Sequence, residues 1–235
     1  AEESKALAEA LLAFQGNSDN DAVFVKFLDA FPQSPWRASL LMNLGSVHRQ
    51  TGFFFKALKS WEGAWNLAKD EAGTRAHAVA DTALGELAEL NARVGRYDYL
   101  TALFKEIDGR SLTGPATEKV ARAREGLWLM NNEPGKAFLC GPLALYKIRA
   151  FQGESVPYPT VIRETQSTRE GTSLAQVQKL AKKAKMNFQM AKRDPGTPFV
   201  MPAVVHWKMG HFAALIKEKD GYYLTQDPTF TYDTL

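Results

Sequence analysis

The chain contains a single cysteine, Cys140, which lies at the predicted start of a helix. The unpaired backbone N–H groups and partial positive charge of a helix N-terminus favour the thiolate form of a cysteine, which is the nucleophilic form. Two later residues could complete a nucleophilic site. His211 is a candidate base for the thiol proton, and Asp227 is a candidate acceptor that orients the histidine. These residue types, in the order Cys, His, Asp, predict covalent catalysis by a thiol.

Each of these residues also has a simpler structural interpretation. A lone cysteine is often a small buried hydrophobic residue, and Asp227 before Pro228 could cap a turn through its own side chain. His206 competes with His211, but it lies inside a predicted strand, so we interpret it as structural, with contact to the substrate as the weaker alternative. As a metal pair, the two histidines lack a third ligand and the helical spacing that zinc peptidases use. We therefore predict no metal and no cofactor.

The motifs around these residues resemble the C39 family of papain-like cysteine peptidases. The matching motifs are Cys140-Gly141-Pro142, Thr172-Ser173-Leu174, Val204-Val205-His206-Trp207 leading to His211-Phe212, and Asp227-Pro228. The resemblance covers roughly residues 134–230. It implies a helical half that carries the cysteine, a sheet that carries the base, and a triad of Cys140, His211 and Asp227. It also implies cleavage of a peptide after small residues, because bacteriocin-processing members cut leader peptides after a double glycine.

One position departs from the family pattern. Family members usually carry a glutamine six residues before the cysteine, where its side chain helps to form the oxyanion hole, and this chain has Pro134 there. The loss of one oxyanion donor typically costs about 10²–10³ in rate, which slows an enzyme without abolishing it. The alternative prediction is a catalytically silent module that binds a peptide without cutting it.

Length, composition and charge limit the other possibilities. A chain of 235 residues with 45% hydrophobic residues predicts one or two folded domains. Its 29 basic and 26 acidic residues are too nearly balanced to predict nucleic acid or an anionic membrane as the main partner. No apolar run is long enough to predict a membrane span. The absence of an initial Met and the end soon after the last predicted strand suggest a piece of a larger protein, and the compartment is not readable.

Residues 1–130 carry helical patterns almost throughout. Leu44, Gly45, Gly52, Ala57 and Trp61 follow offsets close to those of tetratricopeptide repeats, in which small and large residues let two helices pack tightly. A looser copy surrounds Gly95. We predict a solenoid of such helix pairs that docks a protein partner or the substrate and does no chemistry. The alternative is an ordinary helical bundle.

Turn-forming residues at 131–135 predict a boundary to a second domain, residues 131–235. There we predict a helix from Cys140 to about Phe151, a loop or lid from Glu154 to Gly171, and a helix capped by Thr172 or Ser173. Five short strands complete the prediction: Phe188–Ala191, Phe199–Met201, Ala203–Trp207, Phe212–Lys217 and Tyr222–Thr225. Asp220-Gly221 predicts a hairpin turn between the last two. The predicted fold class is α+β.

The capped helix also carries four lysines, Lys179, Lys182, Lys183 and Lys185. They could meet an acidic partner, but the simpler interpretation is a helix face exposed to solvent.

Overall fold

A computed structural model describes residues 2–17, 20–153, 165, 167–227 and 229–230. The contacts divide the chain into two compact units, one formed by Ala1–Leu90 with Gly109–Ala121 and the other by Asn91–Asp108 with Arg122–Leu235. The predicted boundary near residue 130 remains a prediction. No helix among the described residues is long and apolar enough to cross a membrane.

The first unit is helical, as the apolar pattern predicts. Its helices are α1 (Glu2–Gly16), α2 (Ala22–Ala30), α3 (Arg37–Gln50), α4 (Phe54–Ala68), most of α5 (Thr74–Arg93) and the first turns of α7 (Pro115–Asn132). Gly45 permits a close contact between α3 and α4, since a Cβ there would lie 2.2 Å from Nε1 of the fully buried Trp61. That nitrogen donates a hydrogen bond to the Met42 carbonyl. The contact shows that α3 and α4 pack closely, while the tetratricopeptide-like repeat and the solenoid remain predictions.

A buried histidine links three elements of this unit. His48 Nε2 lies 2.8 Å from the Asp21 carboxylate, and His48 Nδ1 lies 3.3 Å from Ser60 Oγ. Asp21 precedes α2, His48 belongs to α3 and Ser60 belongs to α4. Since His48 is only 5% exposed, these hydrogen bonds satisfy polar groups that would otherwise be costly to bury.

The second unit contains the end of α5 and of α7, together with α6 (Tyr97–Glu106), α8 (Pro134–Ala137), α9 (Cys140–Phe151) and α10 (Leu174–Lys183). The predicted bounds of α9 are confirmed. Ser173 caps α10 as predicted, and Gln176 completes a capping box: Gln176 N–H donates to Ser173 Oγ, and Ser173 N–H donates to Gln176 Oε1. The cap and the buried face of α10 together explain why this lysine-rich segment forms a helix here.

Three antiparallel strands follow in the order β1 (Ala203–His206), β2 (Phe212–Lys219) and β3 (Tyr222–Gln226). The predicted hairpin turn is confirmed, because Asp220 and Gly221 both have positive φ, at 54° and 81°. The first five residues of β2 are buried. A core beneath the sheet joins β2 to α9 through Ala144, Ile148, Ala214 and Ile216. The mixed helical and antiparallel architecture agrees with the predicted α+β class.

Two of the five predicted strands are wrong. Residues 188–191 and 199–201 have no strand pairing, although Phe188 packs on the α9 core through its side chain. Arg193 folds the segment on itself, because its Nε donates to the Thr197 carbonyl and its guanidinium lies 4.1 Å from the centre of the Phe199 ring. Apolar composition does not mark a strand here, because Met190 and Val200 are exposed, at 49% and 86%. Most of the predicted loop or lid, residues 154–164 and 166, lies outside the described residues.

Candidate active site

Cys140 is the first residue of α9, and the backbone just before it is held by side chains. Ser167 Oγ donates a 2.6 Å hydrogen bond to the Phe138 carbonyl, and Thr172 Oγ1 lies 3.4 Å from the same oxygen. Immediately after the cysteine, a Cβ on Gly141 would lie 2.7 Å from Val177 Cγ2. Glycine therefore lets the start of α9 pack directly against α10. These contacts fix the position of the thiol, which remains partly exposed.

His211 and Asp227 come together because β2 and β3 are antiparallel. His211 precedes β2 and Asp227 follows β3, so both lie at the same end of the sheet. His211 Nε2 is 2.6 Å from Asp227 Oδ2, and the two residues are 2% and 4% exposed. The other carboxylate oxygen accepts the backbone N–H of Thr229 at 2.8 Å. Asp227 is thus held in an orientation that fixes the ring of His211.

The Cys140 thiol interacts with the His211 side chain, whose hydrogen bond and charge lower the pKa of the thiol. Because Nε2 of the ring contacts Asp227, Nδ1 is the nitrogen left for the thiol. The sulfur also interacts with the backbone N–H groups of Phe212 and Gly141. The structure therefore brings the three predicted site residues together: Asp227 is hydrogen-bonded to His211, and His211 interacts with Cys140.

The surroundings shift the pKa values of the thiol and the imidazole in opposite directions. Burial raises the pKa of Cys140, but the hydrogen bond and positive charge of His211 and the N–H groups of Phe212 and Gly141 together bring it below its ordinary value. Burial lowers the pKa of His211, yet its hydrogen bonds with Asp227 and Cys140 and the charges of both partners raise it to about 9. At neutral pH these shifts favour a thiolate–imidazolium pair, the reactive form of a cysteine nucleophile.

Two aromatic residues enclose the imidazole. The Trp207 ring lies 5.5 Å from the His211 ring, tilted by 46°, and the Phe230 ring lies 6.4 Å away, nearly perpendicular. Trp207 N–H also donates to the His211 carbonyl at 2.8 Å. By excluding water, these rings strengthen the contact between His211 and Asp227. The sequence marks Trp207 only as part of a motif and does not predict that its ring encloses His211.

His206 lies apart from these three site residues. Its ring stacks on the Phe212 ring with centres 4.3 Å apart, and the residue is exposed. Across the described ranges, no group of three or more His, Cys, Asp or Glu side chains could hold a metal ion. Ser60, His48 and Asp21 form a separate series of hydrogen bonds, but Ser60 is 8% exposed and lies inside α4, so this series joins helices and offers no accessible nucleophile.

The family glutamine has no side-chain counterpart at Pro134, which is the first residue of α8 and carries no donor. The start of α9 supplies backbone N–H groups that a helix leaves without internal partners. Any oxyanion stabilisation near Cys140 therefore depends on these groups and on donors other than residue 134.

Comparison with known proteins finds a family match for the C-terminal part of the chain. Residues 137–234 match the model of the Peptidase C39 family. This part of the chain is C39-like. The match covers less than half of the 235 residues and supports a cysteine peptidase, a hydrolase that acts on a peptide. No curated protein and no solved structure matches the chain.

Proposed function

We propose that this protein is a cysteine peptidase in which Cys140 is the nucleophile, His211 is the base and then the acid, and Asp227 orients His211. The observation that carries the proposal is the hydrogen bond between His211 and Asp227 together with the interaction of His211 with Cys140 at the N-terminus of α9. The family match over residues 137–234 supports the same reaction class independently of this geometry.

In the proposed reaction the Cys140 thiolate attacks the carbonyl carbon of the scissile peptide bond, and the carbonyl oxygen becomes an oxyanion. The protonated His211 then donates its Nδ1 proton to the leaving amine as the C–N bond breaks, which leaves a thioester on Cys140. Water attacks the thioester while His211 accepts its proton, and collapse of this second intermediate releases the acid and the thiolate. Asp227 stabilises the imidazolium and, once the Nδ1 proton has been donated, holds the neutral ring in the tautomer that keeps its proton on Nε2.

The proposed substrate is a peptide cut after small residues, as the family resemblance implies. The sequence itself contains no Gly-Gly pair, so it offers no double-glycine site of its own. With Pro134 in place of a side-chain donor, the backbone N–H groups at the start of α9 carry more of the oxyanion stabilisation. We therefore expect a slow enzyme, because one missing donor costs about 10²–10³ in rate.

The helical half is proposed to dock a protein partner or the substrate without taking part in the chemistry. Its helix pairs provide faces of the kind that repeat proteins use to hold a peptide or a helix. Support comes from the lack of any cysteine in residues 1–130 and from the buried, structural setting of His48.

Cleavage of a mixed peptide library tests the proposed function. The wild-type chain and Cys140→Ala are incubated with the library at neutral pH, and products are identified by mass spectrometry. Wild type is expected to yield products with small residues before the cut, and Cys140→Ala is expected to yield none. Cleavage by Cys140→Ala at the wild-type rate contradicts the assignment of the nucleophile.

A silent peptide-binding module is the second candidate, and Pro134 is the observation that favours it. If it is correct, wild type and Cys140→Ala bind a library peptide with equal affinity, and wild type forms no product over long incubation. Product from wild type alone excludes this candidate.

A further inference from the structure

A short segment upstream of the C39-like residues contacts both sides of the candidate active site. The segment comprises residues 93–97, from the last residue of α5 to the first residue of α6, and it belongs to the same compact unit as the site. The family match begins only at residue 137, so the match assigns this segment no role.

The first contact supports the cysteine side of the site. Gly95 has a φ of 75°, and a Cβ there would lie 3.0 Å from Phe138 Cε1. The Phe138 ring therefore packs directly on the Gly95 backbone, while the Phe138 carbonyl accepts the Ser167 hydrogen bond. Phe138 is only 6% exposed and lies two residues before Cys140. Gly95 thus limits where the start of α9 can lie.

The second contact supports the aspartate side. Arg93 Nη1 donates a 3.0 Å hydrogen bond to the carbonyl oxygen of Thr229. The backbone N–H of that same residue donates to Asp227 Oδ1, and the next residue, Phe230, donates its N–H to the Asp227 carbonyl and lies against the His211 ring. Arg93 therefore restrains the backbone of Thr229 and Phe230. Thr229 binds the carboxylate of Asp227, and Phe230 covers the imidazole of His211.

Tyr97 anchors the segment itself. Its hydroxyl donates to Asn131 Oδ1 at 3.3 Å, and the Arg169 guanidinium lies 5.8 Å from the centre of its ring. Arg169 also donates to the Asn131 carbonyl at 3.2 Å. The segment is thus tied to Asn131, near the C-terminal end of α7, as well as to the two sides of the site.

We propose that Arg93 is a positioning residue of the proposed peptidase, which holds Asp227 in place on His211 through its hydrogen bond to Thr229. The packing of Phe138 on Gly95 fixes the position of the segment that carries Arg93. The inference rests on the proposed function. It adds that residues outside the family match set the reactivity of Cys140, through the orientation of the carboxylate.

The predicted effect follows from the order of the contacts. Without the Arg93 donor, the backbone of Thr229 and Phe230 gains freedom, and the contact between Asp227 and His211 weakens. The imidazolium is then less stabilised, so the pKa of His211 falls and the pH range of the thiolate–imidazolium pair narrows. Because Arg93 is exposed, we expect a moderate change, about two- to fivefold in the acid dissociation constant of His211, as for one solvent-exposed hydrogen bond.

The test measures the rate of Cys140 alkylation by iodoacetate across pH for the full chain and three variants. Arg93→Met removes the donor, Arg93→Lys keeps one, and Arg75→Met removes an exposed arginine from the first turn of the same helix as a control. The alkylation rate is expected to fall at alkaline pH, where His211 loses the positive charge that attracts the anionic reagent, and this fall is the alkaline limb of the profile. We expect the alkaline limb to move to lower pH in Arg93→Met, to return towards wild type in Arg93→Lys, and to stay unchanged in Arg75→Met. A role confined to stability would lower the denaturation midpoint and leave the limb in place.

The outcomes separate this inference from the proposed function. A perturbed wild-type profile with an unchanged alkaline limb in Arg93→Met overturns the positioning role alone. A wild-type profile like that of an ordinary thiol overturns the proposed function and the positioning role together. An equal shift in Arg75→Met overturns the positioning role by showing that helix charge, and not the contact with Thr229, moves the limb.

Discussion

Among the site residues, Asp227 makes two hydrogen bonds: one carboxylate oxygen contacts His211, and the other accepts the backbone N–H of Thr229. A carboxylate buried to this degree stabilises a charged imidazole strongly, because little water screens the pair. Burial lowers the pKa of His211, and the hydrogen bond with Asp227 is the strongest of the interactions that raise it, to about 9. The negative charge of Asp227 adds to that stabilisation.

Replacement of the Asp227 carboxylate by an amide separates the effect of its hydrogen bond from the effect of its negative charge. Asp227→Asn keeps the volume and an acceptor for Nε2–H but removes the charge, so the pKa of His211 is expected to fall by about one unit. The alkaline limb of the Cys140 alkylation profile should move down accordingly, and Asp227→Ala should move it further. An unchanged limb in both variants would show that Asp227 does not act on His211.

At the scale of the element, the site depends on the close packing of α9 on α10. Gly141 is the residue that permits it, and Val177 is the side chain that fills the space. Alanine normally favours a helix over glycine by up to about 1 kcal/mol, but a Cβ at 2.7 Å forces Val177 or the helix to move.

Gly141→Ala is therefore expected to destabilise the fold by about 1–3 kcal/mol and to slow Cys140 alkylation, because overpacking displaces the start of α9. Denaturant unfolding and the alkylation rate measure the two effects. Adding Val177→Ala should recover part of both, so that the double variant is less affected than the sum of the single variants. The matched control is Gly135→Ala, where a Cβ would meet nothing within 4 Å. Equal losses at 135 and 141 would contradict the packing explanation.

The elements show which features were predictable. The bounds of α9, the Ser173 cap and the Asp220-Gly221 turn rest on local chemistry that the sequence displays directly: a helical stripe, a capping residue and a residue pair that accepts positive φ. The false strands at 188–191 and 199–201 have the same apolar composition as true strands. Whether such a segment pairs depends on distant partners, which a single sequence does not reveal.

The same distinction applies to the site. The meeting of Cys140, His211 and Asp227 was predictable because the surrounding motifs resemble a family. Arg93 was not, since the contact with Thr229 joins residues 136 positions apart and no local pattern marks it. Trp207 and Phe230 are likewise ordinary apolar residues until the fold places them around the imidazole.

At the scale of the whole molecule, the division into units bears on how much of the chain the proposed peptidase needs. Residues 91–108 group with the C-terminal unit, although the predicted domain began at residue 131. A fragment of residues 131–235 lacks Arg93, Gly95 and Tyr97, and it leaves the ring of Phe138 uncovered on that side.

We expect this fragment to be less stable and less reactive at Cys140 than the full chain. A fragment of residues 91–235 keeps those contacts and is the matched comparison, with thermal unfolding and alkylation rate as the measurements. Equal stability and reactivity of residues 131–235 and the full chain would show that the upstream residues do not support the site, leaving partner recruitment as the proposed role of the helical half.

The central claim is that Cys140 and His211 form a thiolate–imidazolium pair, and the pH dependence of Cys140 alkylation by iodoacetate tests it most directly. The rate should be high at neutral pH. It should fall on the acidic side as the thiolate, whose pKa is lowered, gains a proton, and fall again near pH 9 as His211 loses the positive charge that attracts the anionic reagent. In His211→Ala the bell shape should disappear, because burial then raises the pKa of the thiol without the hydrogen bond and charge of His211 to offset it. A wild-type rate that rises only as pH passes about 8.5, as for a model thiol, would contradict the claim.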